Sequence, residues 1–272
     1  MTSDLFSIAG KIVVVTGGLG QLGRQFARAL AERGASVAVF DLPGAARSQA
    51  ESFWGPLADD RIRCWAVDVT DRASIEAGLQ GVNQVWGAPE ALINAAALDA
   101  PPNAPATENG PFETYPASSW DKVMDVNVKG VMLCCQVIGG QMAAAGHGSI
   151  INISSIYGLV SPDPRIYEYR RKTGAEFYKP VAYSASKSAL LNLTRYLATY
   201  WARRNVRVNC LTFAGVFNNQ DEQFLAGYCA HVPLGRMARE DEYNGAVIFL
   251  LSEAASYVTG TNLVLDGGWT AW

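Results

Sequence analysis

The sequence predicts an α/β fold in which a single doubly wound parallel sheet is flanked by helices. Three observations carry that prediction. Short apolar runs recur along the whole 272-residue chain, from "KIVVVTGG" near the start to "TNLVLDGG" near the end. Their Val, Ile and Leu residues are continuous rather than alternating, as strands buried on both faces require. Stretches with helical apolar spacing separate them, which makes successive βαβ units with right-handed crossovers.

Taken in order, the first unit is the most informative. "VVVTGGLGQLGRQFARAL" reads as strand, Gly-rich turn and helix. Glycines at 17, 18, 20 and 23 let the backbone turn tightly and approach a pyrophosphate, and the helix start adds free N–H groups and a positive dipole end. The second run, "SVAVFD", ends at Asp41, with Leu42 next. A carboxylate there can accept hydrogen bonds from an adenine-ribose diol and would repel a 2′-phosphate. Gly18 supplies no cation for such a phosphate, although Arg47 lies nearby in sequence. NAD is therefore favoured over NADP. The third run, "IRCWAVDVT", places Asp68 and Val69 at a strand end, where Asp68 can face an adenine amino group. The fourth, "ALINAAA", ends at Asn94 and continues into Ala95, Ala96 and Ala97, small enough for a flat ring to pass close to the backbone. "GSIINISS", "VRVNCLTF" and "TNLVLDGG" supply the remaining strands.

Composition narrows the function. Hydrophobic residues make up 49% and charged residues 17%, enough to bury a sizeable core. The net charge of −3 comes with no basic block, so nucleic-acid binding has no electrostatic support. "MTSDLFSIAGKIVVVTGG" holds no apolar run long enough for a signal peptide or a membrane span. The odd count of 5 cysteines, without a CxxC, suits reduced thiols in a cytoplasm. His147 and His231 have no metal-ligand spacing, so no metal is expected.

Reactive groups gather in "VAYSASKSALLNLTRYLATYW". Tyr183 and Lys187, four residues apart, share one helix face. An ammonium beside a phenol favours the phenolate and would lower its pKa, making tyrosine a usable acid/base at an alcohol or carbonyl. Lys187 could also bind a nicotinamide ribose. "GSIINISSIYG" ends a buried strand in two serines, either of which could hydrogen-bond a substrate oxygen. Asn127 lies inside the helix of "WDKVMDVNVKGVMLCCQ", where a mediocre helix former suggests a polar task such as holding a water beside the lysine.

In motif content the chain resembles the classical short-chain dehydrogenase/reductases over nearly its whole length. The resemblance rests on "TGGLGQLG", "FD", "DVT", "INAAA", "NVKG", "INISS", "YSASK" and "GTNLVLDGGW", in that order. It implies one Rossmann-fold domain spanning 1–272, a nicotinamide cofactor, and an Asn127–Ser155–Tyr183–Lys187 tetrad. It implies cofactor contacts from Gly17, Gln21, Leu22, Gly23, Asp41, Leu42, Asp68, Val69, Asn94, Ala95, Ala96, Tyr183, Lys187 and Val216. A homo-tetramer or homo-dimer acting on a small molecule is the family expectation. Gln21 stands where the family pattern has glycine, "NAAA" replaces its NNAG, and Phe213-Ala214 replaces its proline-glycine. The "GLGQLG" loop, "SSIYGLVSPDPRIYEY" and "GVFNNQDEQFL" further resemble flagellin-modification oxidoreductases of bacterial nonulosonic-acid pathways. The expected reaction is an NAD-dependent interconversion of secondary alcohol and ketone, on a sugar or a phosphorylated or nucleotide-linked sugar. Small alcohols, hydroxy acids or steroid-like ketones are the enzymatic alternative, and a nucleotide-sensing protein without turnover is the other.

Residues 98–119 and 161–180 break the strand–helix rhythm and read as loops at the carboxyl edge of the sheet, where open α/β sheets bind ligands. The second carries Arg165, Arg170, Arg171, Lys172 and Lys179 against Asp163, Glu168 and Glu176. It is expected to be a substrate lid whose Arg170 and Arg171 meet an anionic group, with Ala97 and Tyr157 as further substrate contacts.

Overall fold

The computed structural model describes residues 4–42, 44, 47–58, 60–99, 106–172 and 177–272. Its strands are β1 (Ile12–Thr16), β2 (Ser36–Asp41), β3 (Ile62–Ala66), β4 (Ala91–Asn94), β5 (Gly148–Ser155), β6 (Val206–Phe213) and β7 (Asn262–Leu265). They form one 7-stranded sheet in the order β3-β2-β1-β4-β5-β6-β7, and every pairing is parallel. The chain winds outward from β1 to one edge, returns, and continues from β4 to the other. The reversal lies between β1 and β4, the position where such sheets open a crevice for ligands.

The continuous apolar runs are explained by what covers each face. Val13 and Val15 point into a core shared with Phe26 and Leu30 of α1 (Gln21–Glu32) and with Val247 and Leu251. Val14, between them, joins the opposite core with Ile75, Leu79, Ile138 and Leu190. Burying one such side chain stabilises the fold by about 1.5–3 kcal/mol, and the one polar residue of β1, Thr16, is buried with its hydroxyl accepting from the Ala95 and Ala96 N–H groups. The helix of Val247 and Leu251 is numbered below, after its predecessors.

The helices on the face of Val14 include α3 (Arg72–Val85), after a short α2 (Arg47–Trp54), and a long α4 (Ala117–Ala145), besides the later helix that carries Leu190. Asp71 caps α3 by accepting from the Ala73 N–H at 3.0 Å. α4 contains two π turns, Asp125–Gly130 and Cys135–Gly139, and stops at Gly146 in the left-handed conformation, φ 80°. By length and composition α4 could cross a membrane. Its Val131, Cys134, Ile138 and Met142 are instead buried against the sheet, so it is a core helix. Burial pushes the thiols of Cys135 and Cys210 up to about 12, which suits packing rather than reactivity.

The two segments expected as loops are more ordered than that. α4 already begins at Ala117, preceded by short 3₁₀ turns at Ala106–Asn109 and Phe112–Thr114. In the second, a 3₁₀ turn at Pro164–Tyr167 leads into α5 (Glu168–Lys172). Its Ile166 and Tyr167 are buried, and the Tyr167 ring lies 4.7 Å from Phe177 and 5.8 Å from Phe224, centroid to centroid. Asp163 anchors the near end. It accepts from Arg165 and from His231, whose other ring nitrogen meets the Gly227 carbonyl at 2.8 Å. The hydrogen bonds from Arg165, with His231 helping, hold the Asp163 carboxyl well below the usual carboxylate range. His231 also stacks on Trp269, so its role is packing and anchoring.

After this wall come α6 (Val181–Trp201), α7 (Glu222–Cys229) and α8 (Asn244–Leu251), the last being the helix of Val247. Asp221 caps α7 by accepting from the Phe224 N–H at 2.8 Å.

Candidate active site

Two adjoining hollows open at the carboxyl edge of the sheet. The larger, of about 600 Å³, runs along the end of β1. Gly17, Gly20, Gln21, Leu22 and Gly23 form one wall, with Asp41, Leu42, Asp68 and Val69 on one side and Ala95, Ala96 and Ala97 on the other. The glycines are dictated by contact. Gly17 has φ +64°, and a Cβ there would fall 2.6 Å from the Ala96 Cα. A Cβ on Gly23 would fall 2.2 Å from the Gly17 carbonyl oxygen. Gly20 precedes α1 without a side-chain cap, so the first-turn N–H groups face the groove as anion donors. Gln21 keeps this form: its Nε2 donates to the Phe217 carbonyl at 3.1 Å and ties the loop to the segment after β6.

Asp41 is held at the rim, Oδ2 accepting from the Leu19 N–H at 2.9 Å and Oδ1 from the Leu42 N–H at 2.8 Å. Arg47 is bonded to Glu51 at 2.6 Å and lines a separate hollow with Trp54 and Ile62. Asp68 lies beyond the end of β3 rather than within it, and its Oδ1 accepts from the Thr70 N–H and hydroxyl.

The second hollow, about 420 Å³, shares Gln21, Leu22, Ala95 and Ala97 with the first. Ser155, at the last position of β5, and Tyr183 and Lys187, in the first two turns of α6, line it. Ser154 donates its hydroxyl to the Lys187 carbonyl at 2.8 Å, which leaves Ser155 as the serine partnering Tyr183. Burial pushes the Tyr183 phenol up to about 12, with the Asp99 carboxylate adding to the rise and the hydrogen bond with Ser155 opposing it. The lowering anticipated from Lys187 is not among the causes of the shift, and desolvation of the phenolate dominates. Lys187 is itself pushed down to about 8, chiefly by burial. Its Nζ donates to the Ile153 carbonyl at 2.9 Å and lies 5.7 Å from the centre of the Tyr183 ring.

Residues 17–270 match the family model described as enoyl-(acyl carrier protein) reductase. The chain belongs to the short-chain dehydrogenase/reductase family. Among relatives of this short-chain dehydrogenase/reductase, the NAD-dependent glycerol dehydrogenase of Listeria innocua is 31% identical over 97% of this chain and 96% of its own. The D-threitol dehydrogenase of Mycolicibacterium smegmatis is 32% identical over 97% of this chain and 95% of its own. The crystal structure of a gluconate 5-dehydrogenase from Burkholderia cenocepacia, in complex with NADP and tartrate, superposes with a TM-score of 0.82. It is 28% identical and covers 99% of this chain and 98% of its own. Members of the family bind a nicotinamide cofactor and carry out oxidoreduction.

Within this short-chain dehydrogenase/reductase, most residues singled out from sequence line the two hollows. Val216 and Tyr157 border the second, and Ala97 borders both. Three are placed differently. Asn127 sits in the first π turn, as an i→i+5 distortion at a site would have it. Its side chain is spent within the protein, however. Oδ1 accepts from the Leu98 N–H at 2.7 Å, while Nδ2 donates to the Leu98 carbonyl at 2.8 Å and to Ser186 Oγ at 2.9 Å. It braces the loop after β4 against α6 rather than offering an amide to water. Asn94 turns its side chain away from the groove and donates to Asn152 at 2.9 Å in the core. Arg170, expected to meet substrate, lies over the Phe177 ring at 4.5 Å, donates to the Tyr169 hydroxyl at 3.1 Å, and lines neither hollow. Arg171 continues α5, and its side chain lies outside the described residues.

Several lining residues are not singled out by the sequence, Asp99, Phe224, Tyr228 and Met237 among them, while Tyr167 and Lys179 come from the segment expected as a lid. Asp99, Lys179, Tyr167, Phe224, Tyr228 and Met237 all face the second hollow. Among the described residues of the 161–180 stretch, Lys179 is the one cation that lines it, and it meets Asp99 in an ion pair.

Proposed function

We propose that this chain is an NAD-dependent oxidoreductase that interconverts a secondary alcohol and a ketone on a polyol or similar sugar derivative. The observation that carries the reading is the meeting of Ser155, Tyr183 and Lys187 in a cleft continuous with the glycine-lined groove. The groove suits a nicotinamide dinucleotide: Gly17 and Gly23 form a cradle that any Cβ would fill, and the open amides at the start of α1 suit a pyrophosphate. The carboxylate of Asp41, with no arginine among the described residues lining that groove, supports NAD over NADP. When bound, the cofactor accepts or returns the hydride.

The chain's own groups handle the oxygen. Ser155 holds the substrate hydroxyl beside Tyr183. Tyr183 takes its proton in oxidation and returns it in reduction. Lys187, charged below about 8, favours the phenolate that forms. Asn127 keeps α6 and the loop after β4 in place. The named relatives dehydrogenate glycerol and D-threitol, which supports the polyol side of the reading. The narrower likeness to flagellin-modification enzymes rests on the loop segments alone. We read residues 1–272 as one domain of a cytoplasmic homo-tetramer or homo-dimer. Exposed Trp120 and Met132 on α4, and Tyr196 and Tyr200 on α6, support the assembly.

Two measurements test this reading. Incubation with NAD and a panel of polyols should produce NADH, and a panel without turnover would refute it. The double change Asp41→Ala with Leu42→Arg should shift the NADP-to-NAD ratio of kcat/KM roughly ten- to a hundredfold toward NADP, by removing repulsion and supplying a phosphate partner. A wild-type protein that already prefers NADP would overturn the assignment of Asp41.

A further inference from the structure

The substrate cleft carries few charges. Among the described residues lining it, only Asp99, Lys179 and Lys187 are ionised side chains. Lys187 is directed to the Ile153 carbonyl. The other two neutralise each other across the opening. Asp99 comes from the loop after β4, and Lys179 stands two residues before α6. Lys179 is mostly buried, its side chain 18% exposed, and its Nζ lies 5.2 Å from the centre of the Tyr183 ring. The pair thus sits beside the phenol assigned to proton transfer. Ser155, Tyr157, Asn218, Gln220, Phe224 and Tyr228 supply hydroxyl, amide and aromatic groups among otherwise largely apolar lining residues.

Resting on the oxidoreductase reading above, we propose that the Asp99–Lys179 pair is a specificity device that admits uncharged polyols and turns away sugar acids and sugar phosphates. An uncharged polyol offers hydroxyls that both donate and accept, so it can donate a hydrogen bond to Asp99 and accept one from Lys179 without separating them. Aromatic Phe224 and Tyr228 meet its C–H faces. An anion faces a different balance. To reach Lys179 it must displace or lie beside the Asp99 carboxylate, which is 56% exposed and so partly screened, but which still repels a like charge at that range. The arginines that could have tipped the balance are engaged elsewhere, Arg165 with Asp163 and Arg170 with Tyr169 and Phe177. Among its described residues the basic segment therefore delivers one cation to the cleft, and that cation arrives with its counter-charge.

The experiment compares NAD reduction by the full chain on threitol, arabinitol, mannitol, gluconate and a hexitol phosphate, for wild type, Asp99→Asn, Lys179→Gln and Lys179→Arg. Wild type should favour its best polyol over gluconate by roughly tenfold or more in kcat/KM. Asp99→Asn should raise KM for that polyol roughly tenfold and increase turnover of gluconate, since Lys179 then stands uncompensated. Its pH profile for oxidation should also move to lower pH, because a carboxylate that raises the Tyr183 pKa is gone. Lys179→Gln should raise polyol KM with kcat less affected, and Lys179→Arg should restore it. Equal or better wild-type turnover of gluconate would overturn the pair's role while leaving the oxidoreductase reading intact. So would an Asp99→Asn protein that loses polyol and gluconate activity by the same factor, the mark of a merely structural contact. Absence of turnover on every compound would sink the oxidoreductase reading and this inference with it.

Discussion

Tyr183→Phe is expected to lower kcat for alcohol oxidation by ~10²–10⁴-fold, the usual contribution of a positioned acid/base group. NADH binding should stay within about twofold of wild type, because the substitution removes one hydroxyl and the glycine-lined groove lies on other elements. The pH dependence supplies a second readout. Burial holds Tyr183 at about 12 and Lys187 at about 8. Oxidation needs tyrosine as a base, so the rate should climb as pH rises from neutrality toward the phenol's ionisation. In the phenylalanine variant that climb should vanish. A variant with near-normal kcat, or one that keeps the alkaline rise, would show that another group moves the proton.

Gly23→Ala is expected to raise the Kd for NADH roughly a hundredfold and to lower the melting temperature. The added Cβ would stand 2.2 Å from the Gly17 carbonyl oxygen and 2.7 Å from the Gly18 Cα. Both neighbours are backbone, so relief requires moving the loop itself. Overpacking of this kind costs about 1–3 kcal/mol where side chains can yield, and here none can. Gly20→Ala is the control, since its nearest clash is a single carbonyl oxygen at 3.3 Å and its backbone is extended. That variant should bind NADH within a few-fold of wild type. Fluorescence titration of both proteins decides the matter, and equal affinity would mean that the loop is not the cofactor cradle.

The fold and the reactive groups were legible for a common reason: both are encoded locally. A strand buried on both faces writes itself as an unbroken apolar run, and Tyr183 with Lys187 needs only one turn of helix. What escaped depends on tertiary contact. Asp99 and Lys179 are 80 residues apart in sequence, and nothing near either one announces the other. The basic segment before α6 was visible as a cluster of cations. Which of them would face the cleft depends on how α5 sits, and packing of Arg170 on Phe177 settles that outward. Asn127 was conspicuous as a polar residue inside a helix, but its partners Leu98 and Ser186 come from other elements. The rise in the Tyr183 pKa follows from burial, which spacing alone does not report.

Asn94, set aside above as a cofactor contact, bears on how finely the site can be aligned. Its Nδ2 donates to Asn152 Oδ1 at 2.9 Å, and Asn152 Nδ2 donates to Thr194 Oγ1 at 2.9 Å, all three side chains being buried. That relay crosses from β4, which leads into the cofactor groove, to β5, which ends at Ser155, and on to α6, which carries Tyr183. A slip of one residue between β4 and β5 would shift Ser155 against Ala96 by about 3.3 Å, more than a hydrogen bond's length. It would also strand buried amides at about 1–3 kcal/mol each. The asparagine pair thus works as a gauge, making misalignment of the two halves of the site as costly as a fault in the core.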